Sequence, residues 1–66
     1  MNVIVNGETR DLQDGCTVSL LIEALKLGGG PCAVEVNRNV VPKAAHGATT
    51  LGEGDTIEIV TLVGGG

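Results

Sequence analysis

The chain ends in Gly64, Gly65 and Gly66, and the α-carboxylate of Gly66 is the group with the clearest chemical potential. Such a carboxylate is ionised at neutral pH and is a poor electrophile until a second enzyme converts it into a mixed anhydride. Glycine has no Cβ, so this segment can lie extended in a narrow channel, where three residues span roughly 10 Å. The segment therefore predicts either a reactive end that is presented to a partner or a frayed terminus.

The other residue types that could do chemistry are one histidine and two cysteines. His46 has no acid beside it in sequence, which favours a surface or loop-packing role over catalysis. Cys16 and Cys32 form no C-x-x-C motif and have no paired histidine for zinc, so we expect two reduced thiols that behave as small buried apolar groups. An enzyme would require these three side chains to converge, which their spacing does not indicate. The sequence therefore predicts no metal site and no enzymatic activity of its own.

Composition limits the size of the domain and the class of partner. The 66 residues allow one domain, predicted over residues 1–63 with 64–66 as a tail, and the absence of Phe, Tyr and Trp leaves a thin aliphatic core. The net charge of −4 repels phosphate backbones and anionic lipid. No apolar run approaches the ~20 residues that span a bilayer, and no signal-peptide pattern is present. We expect a cytoplasmic protein with a basic protein partner, and no binding to nucleic acid or membrane.

The first half of the chain predicts the elements on one side of the fold. The stretch "MNVIVNG" alternates, and Gly7 turns the chain into "ETRDL", which predicts a hairpin. Residues 18–27, "VSLLIEALKL", predict an amphipathic helix with Thr17 as its N-cap. Cys16 and Leu21 occupy the two positions of a hydrophobic staple. The helix face predicted to pack on the sheet contains Val18, Leu21, Ile22 and Leu25.

The second half predicts three more strands. "CAVEVN" alternates, Arg38-Asn39 predicts a tight turn into "VVP", and Pro42 indicates a short edge strand. Residues 43–50 have no clear period and predict a loop, after which "GEGD" turns the chain into the last strand. The order β-β-α-β-β-β predicts an α+β fold, a mixed sheet of about five strands with the helix on one face.

Alternation in the last strand separates two faces. Ile57 and Ile59 are predicted to face the helix. One helix covers only one face of a sheet, so Val60 and Leu62 should stand exposed just before the tail, with Ile4 on the same open face. An apolar patch beside a presented terminus is typical of a docking surface, and we predict that these three exposed residues dock a partner. The other strand residues predicted to be in the core are Val3, Val5, Val34 and Val36.

The whole chain resembles a known family. A β-β-α-β-β-β order that ends in two glycines is similar to the ubiquitin-like β-grasp proteins, and the blocks "AVEVNRNVVP" and "LGEGDTIEIVTLVGGG" resemble the sulfur-carrier family of thiamine biosynthesis, the ThiS family. The diglycine is shared with molybdopterin-synthase small subunits, tRNA-thiolation carriers and protein modifiers, so the two blocks carry the thiamine assignment. Gly64 adds a third glycine, which lengthens the tail and leaves Gly65 and Gly66 in place.

The resemblance implies a carrier cycle. An E1-like adenylyltransferase of the ThiF type would use ATP and magnesium to form the Gly66 acyl-adenylate, and sulfur from a persulfide would displace AMP to leave a thiocarboxylate. A ThiG-type thiazole synthase would take that sulfur. The chain itself would bind no cofactor and would present Gly66 on the tether of Gly64 and Gly65.

Two other functions are compatible with the same end and fold. A sulfur carrier for molybdopterin synthesis or tRNA thiolation would have the same tail, and only its partner or a complementation assay would separate it from a thiamine carrier. A non-catalytic ubiquitin-like interaction module, in which the glycines are frayed, would tolerate extra residues after Gly66.

Overall fold

The structure, a computed structural model, describes residues 1–25 and 32–61. Its elements are β1 (Asn2–Val5), β2 (Glu8–Asp11), α1 (Val18–Leu25), β3 (Cys32–Val36), β4 (Asn39–Val41), a 3-10 turn (Lys43–Ala45) and β5 (Thr56–Thr61). The strands form one sheet in the order β2-β1-β5-β3-β4, with β1 and β5 parallel and the other neighbours antiparallel. The predicted mixed five-stranded sheet with one helix is confirmed.

Two hairpins flank the central strand, and each closes through a two-residue loop. Asn6-Gly7 closes the first, with φ values of 49° and 83°, as the type I′ turn requires. The second loop is Asn37-Arg38, with φ values of 50° and 69°. The predicted turn at Arg38-Asn39 is therefore wrong by one residue, because Asn39 already pairs with Val36. Asparagine tolerates the left-handed backbone well, whereas at Arg38 this conformation costs about 1–2 kcal/mol.

The helix begins as predicted. The Thr17 Oγ1 atom accepts a hydrogen bond from the Leu20 N–H at 3.2 Å, which confirms the N-cap. Cys16 packs against the core that contains Leu21, as the staple requires. The predicted end of the helix, at residues 26–27, lies outside the described residues. No described helix is long and apolar enough to cross a bilayer.

The core lies between α1 and one face of the sheet. Seven predicted core residues are buried: Val3, Val5, Val18, Leu21, Val34, Ile57 and Ile59. Three more are partly buried and pack against them: Ile22, Leu25 and Val36.

The segment predicted as a loop, residues 43–50, is more ordered than its lack of period indicates. It contains the 3-10 turn, and Thr50 forms a β-bridge with Thr17 at the start of the helix. The Leu51 N–H donates to the Cys16 carbonyl at 2.9 Å, and the Leu51 side chain is buried in the core. Backbone hydrogen bonds hold this segment beside the start of the helix. Such bonds do not require a periodic pattern of side chains, so the sequence does not reveal them.

Candidate functional site

The candidate site is built on β5, the strand that leads to the tail. β5 lies between β1 and β3 in the middle of the sheet, so it pairs with a neighbour on each side. The predicted reactive end and its tether, Gly64 to Gly66, and the predicted docking residue Leu62 lie outside the described residues. The structure describes β5 as far as Thr61, the strand that precedes this end.

The two faces of β5 are assigned correctly by the sequence. Ile57 and Ile59 are buried against the helix, while Val60 is 58% exposed on the opposite, open face. Ile4 is 38% exposed on that same face. The exposure of both predicted docking residues is confirmed, and their binding role stays a prediction.

Ile4 and Val60 are not neighbours on the open face. Ile4 pairs with Thr56, at the start of β5, and Glu58 comes before Val60 on the same face. Four strand residues correspond to roughly 13 Å, so the two apolar side chains form separate contacts. The residue directly opposite Val60 is the exposed Ala33 of β3.

The open face is acidic. Glu35 and Glu58 are direct cross-strand partners, and Asp11 lies on the same face because it pairs with Asn2. The ion pairs found within the described residues involve neither glutamate. Arg10 lies on the other face, since it pairs with the buried Val3. The face thus combines exposed apolar side chains with negative charge, and it is complementary to a basic surface.

Two asparagines hold β5 from opposite sides. The Asn6 Oδ1 atom accepts the Ile59 N–H at 2.8 Å, and its Nδ2 donates to the Ile59 carbonyl at 3.1 Å. The Asn37 Oδ1 atom accepts the Thr56 N–H at 3.0 Å, and its Nδ2 donates to Asp55 Oδ1 at 3.0 Å. Gly7 of the "NG" pair predicts the first turn, but the bonding role of Asn6 is missed from the sequence. An asparagine at the first position of each loop is the sequence signal that could have indicated this bonding to β5.

The α-amine of Met1 lies among carboxylates at the start of β1. It donates to the Leu12 carbonyl at 2.7 Å and to Asp11 Oδ1 at 3.3 Å, and Asp14 Oδ1 lies 3.7 Å away. Desolvation lowers the pKa of this amine, but the hydrogen bond to Asp11 and the charges of Asp11, Asp14 and Glu53 together raise its pKa above the ordinary value.

The histidine and the cysteines have structural contacts. His46 is 7% exposed, and its Nε2 lies 3.1 Å from the Val41 carbonyl oxygen. Because a carbonyl oxygen only accepts, Nε2–H is the donor of this hydrogen bond. Its predicted loop-packing role is confirmed. Cys16 and Cys32 are free and half-buried, and the Cys16 thiol donates to the Thr17 carbonyl at 3.5 Å. Within residues 1–25 and 32–61, no group of three or more His, Cys, Asp and Glu side chains is arranged to hold a metal ion.

Comparison with known proteins decides the family. A model of the ThiS family matches residues 3–66. The chain belongs to the ThiS family. This match includes β5 and the glycine end, the two features on which the candidate site depends.

Solved and curated relatives are consistent with the ThiS assignment. The crystal structure of the thiamine biosynthesis protein ThiS from Geobacter metallireducens superposes with a TM-score of 0.84, at 35% identity and with full coverage of both chains. The thiazole synthases of Paramagnetospirillum magneticum and Magnetococcus marinus are 36% and 38% identical over all 66 residues. The chain spans 20% of the length of each synthase. A ThiS-like stretch is thus part of a longer polypeptide in both.

Proposed function

We propose that this ThiS-family chain carries sulfur as a thiocarboxylate on Gly66 and donates it for formation of the thiazole of thiamine. The family match through residue 66 is the observation that supports this most directly, since it includes the reacting end. The position of β5 in the middle of the sheet adds to it, because the strand before the tail is held on both sides as far as Ile59 and by β3 beyond it.

The chemistry is acyl activation followed by sulfur transfer. A carboxylate oxygen of Gly66 attacks the α-phosphorus of ATP in a ThiF-type adenylyltransferase, and pyrophosphate leaves with magnesium bound. The terminal sulfur of a persulfide then attacks the acyl carbon and AMP leaves. A thiol then attacks the donor's sulfur in the remaining S–S bond, which releases the thiocarboxylate and leaves a disulfide between the thiol and the donor. The adenylyltransferase and the persulfide donor supply the energy and the catalytic groups, and this chain, which is not itself an enzyme, supplies the acyl group.

The acceptor in this proposal is a ThiG-type thiazole synthase. The two synthases that contain a similar stretch support it, because a carrier linked to its acceptor has a raised effective concentration at that active site. A carrier for molybdopterin or tRNA thiolation would use the same end, but the family match favours thiamine.

The open face is the proposed docking surface for these enzymes. Among the described residues, Val60 makes the contact nearest the tail, and Ile4 forms a second contact at the other end of β5. Leu62, outside the described residues, is the third proposed docking residue. Between the first two contacts, Glu35 and Glu58 face outward side by side. The charge favours a partner surface that is basic around an apolar centre.

Intact-mass measurement tests the proposal. The chain is incubated with a ThiF-type adenylyltransferase, ATP, Mg²⁺ and sulfide, and we expect a gain equal to the mass difference between sulfur and oxygen. Omission of ATP is the control. A variant with one alanine added after Gly66 should fold normally and gain no sulfur, because its reactive carbonyl no longer lies on Gly66. Thiocarboxylate on the uncut extended variant would contradict the assignment of the reacting carbonyl to Gly66. No mass gain on the unaltered chain would favour the frayed-terminus interpretation.

A further inference from the structure

Backbone pairing between β1 and β5 stops before β5 ends. Ile4 N–H donates to the Asp55 carbonyl and Asn6 N–H donates to the Ile57 carbonyl, both at 2.9 Å. These two bonds are two residues apart on each strand, so the next N–H in the same parallel ladder would reach Ile59. Instead the chain leaves the ladder at Asn6, where φ is 49°.

The Asn6 side chain replaces the missing part of the ladder. Its amide is both a donor and an acceptor, like a peptide group, and it bonds to both backbone groups of Ile59. Ile59 is buried, and a buried backbone group without a partner is costly. The side chain therefore continues the hydrogen bonding on this side of β5 from Ile57 to Ile59.

Asn37 occupies the equivalent position in the second hairpin and provides a matched comparison. Its φ is 50°, and its side chain also makes two hydrogen bonds to the β5 region. These bonds reach Asp55 and Thr56, where β5 begins. The two asparagines thus share turn type and bonding capacity, and they differ in the end of the strand that they hold.

We propose that Asn6 is a positioning residue for the C-terminal end of the carrier, a role that rests on the proposed function. Beyond Ile59, the described residues Val60 and Thr61 pair with Ala33 and Cys32 of β3. Asn6 fixes the β1 side of the strand immediately before the exposed Val60 and the tail. A fixed strand end holds Val60 in one orientation, which lowers the ordering cost when a partner binds.

The test compares Asn6→Gly with Asn37→Gly. Glycine retains the left-handed backbone of both turns, so each variant loses only side-chain hydrogen bonds. In Asn6→Gly we expect the Ile59 amide to exchange with solvent about tenfold faster, and the KM for the carrier in ATP-dependent adenylylation by a ThiF-type enzyme to rise about tenfold with kcat unchanged. Asn37→Gly should lose about as much stability as Asn6→Gly, but its KM should equal that of the unaltered chain.

Several outcomes would overturn the positioning role. An equal rise in KM for both glycine variants would show that Asn6 only stabilises the domain. An unchanged rate of hydrogen exchange at the Ile59 amide in Asn6→Gly would show that the Asn6 bonds do not hold the strand. If Asn6→Gly does not fold, Asn6→Asp keeps the turn and the acceptor but cannot donate to the Ile59 carbonyl, and the same KM comparison applies. An unaltered chain that is not adenylylated overturns the proposed function itself, and the positioning role with it.

Discussion

Glu35 and Glu58 are direct cross-strand partners, so two carboxylates stand side by side on the open face of the sheet. Like charges in this arrangement destabilise an antiparallel pair. The presence of both charges at this position is consistent with a use outside the folded domain, at the surface that we propose docks a basic partner.

Glu58→Gln is expected to stabilise the domain by about 0.2–1 kcal/mol at low salt, because it removes the repulsion from Glu35. The gain should shrink in high salt, where the repulsion is screened. Urea denaturation at both salt concentrations measures it. Glu23→Gln, an equal charge change on the exposed side of the helix, serves as the control and should leave the midpoint unchanged. A Glu58→Gln variant that is less stable than the unaltered chain would contradict the repulsion.

Val60→Asn should leave the domain folded and weaken binding to the adenylyltransferase. The exposed Val60 makes few contacts within the domain, whereas burying an amide in an apolar contact costs at least about 1.4 kcal/mol, or tenfold in affinity. Because asparagine carries no charge, the change reports on the apolar contact alone. Calorimetric titration with the enzyme measures it. Leu20→Asn, on the helix and therefore away from the open face, is the control; Leu20 is 52% exposed, and the variant should bind normally.

Leu21→Ala should cost about 2–5 kcal/mol, since Leu21 is fully buried and a core without aromatic residues has few other large side chains. For a domain of this size that is a large part of its stability. The adjacent Leu20 is 52% exposed, and Leu20→Ala should cost far less. Equal shifts in the denaturation midpoint for the two variants would show that Leu21 is not central to the core.

The stability of a chain with a free Met1 amine should fall as pH rises above about 8. The folded state raises the pKa of this amine above its ordinary value of 8.0, so the folded state retains a proton that the unfolded state has released. The contribution is fully present below the unfolded pKa and is lost as pH passes through the folded one. Denaturation midpoints across this range measure it. Acetylation of the amine should abolish the dependence, and Asp11→Asn should reduce it.

Much of this fold can be predicted from the sequence because its signals are local. Alternation assigns the faces of β5, so that Ile59 is buried and Val60 exposed, and Thr17 marks the start of the helix. Such patterns depend on the period of one element and on the residues at its ends.

The remainder depends on pairings between distant segments. Leu51 is buried where its N–H bonds to the Cys16 carbonyl, and no period in its own segment indicates this position. The Asn6 side chain bonds to Ile59, which is 53 residues away. Glu35 and Glu58 become neighbours only through the register of two strands. Sequence patterns predict the sheet face on which each residue lies. The register of the strands and the side-chain pairs across the sheet depend on how distant segments are arranged in the folded structure.

The central position of β5 has a mechanical consequence. A partner that draws the end of the chain into a channel pulls along the strand axis beyond Thr61. With β1 on one side and β3 on the other, that force loads the hydrogen bonds of both ladders in shear, together rather than one after another. An edge strand paired with β3 alone would lack the β1 bonds and the two bonds from Asn6, so fewer bonds would share the load. Under the proposed function, this sharing of the load helps the domain to remain folded while a partner pulls on its end.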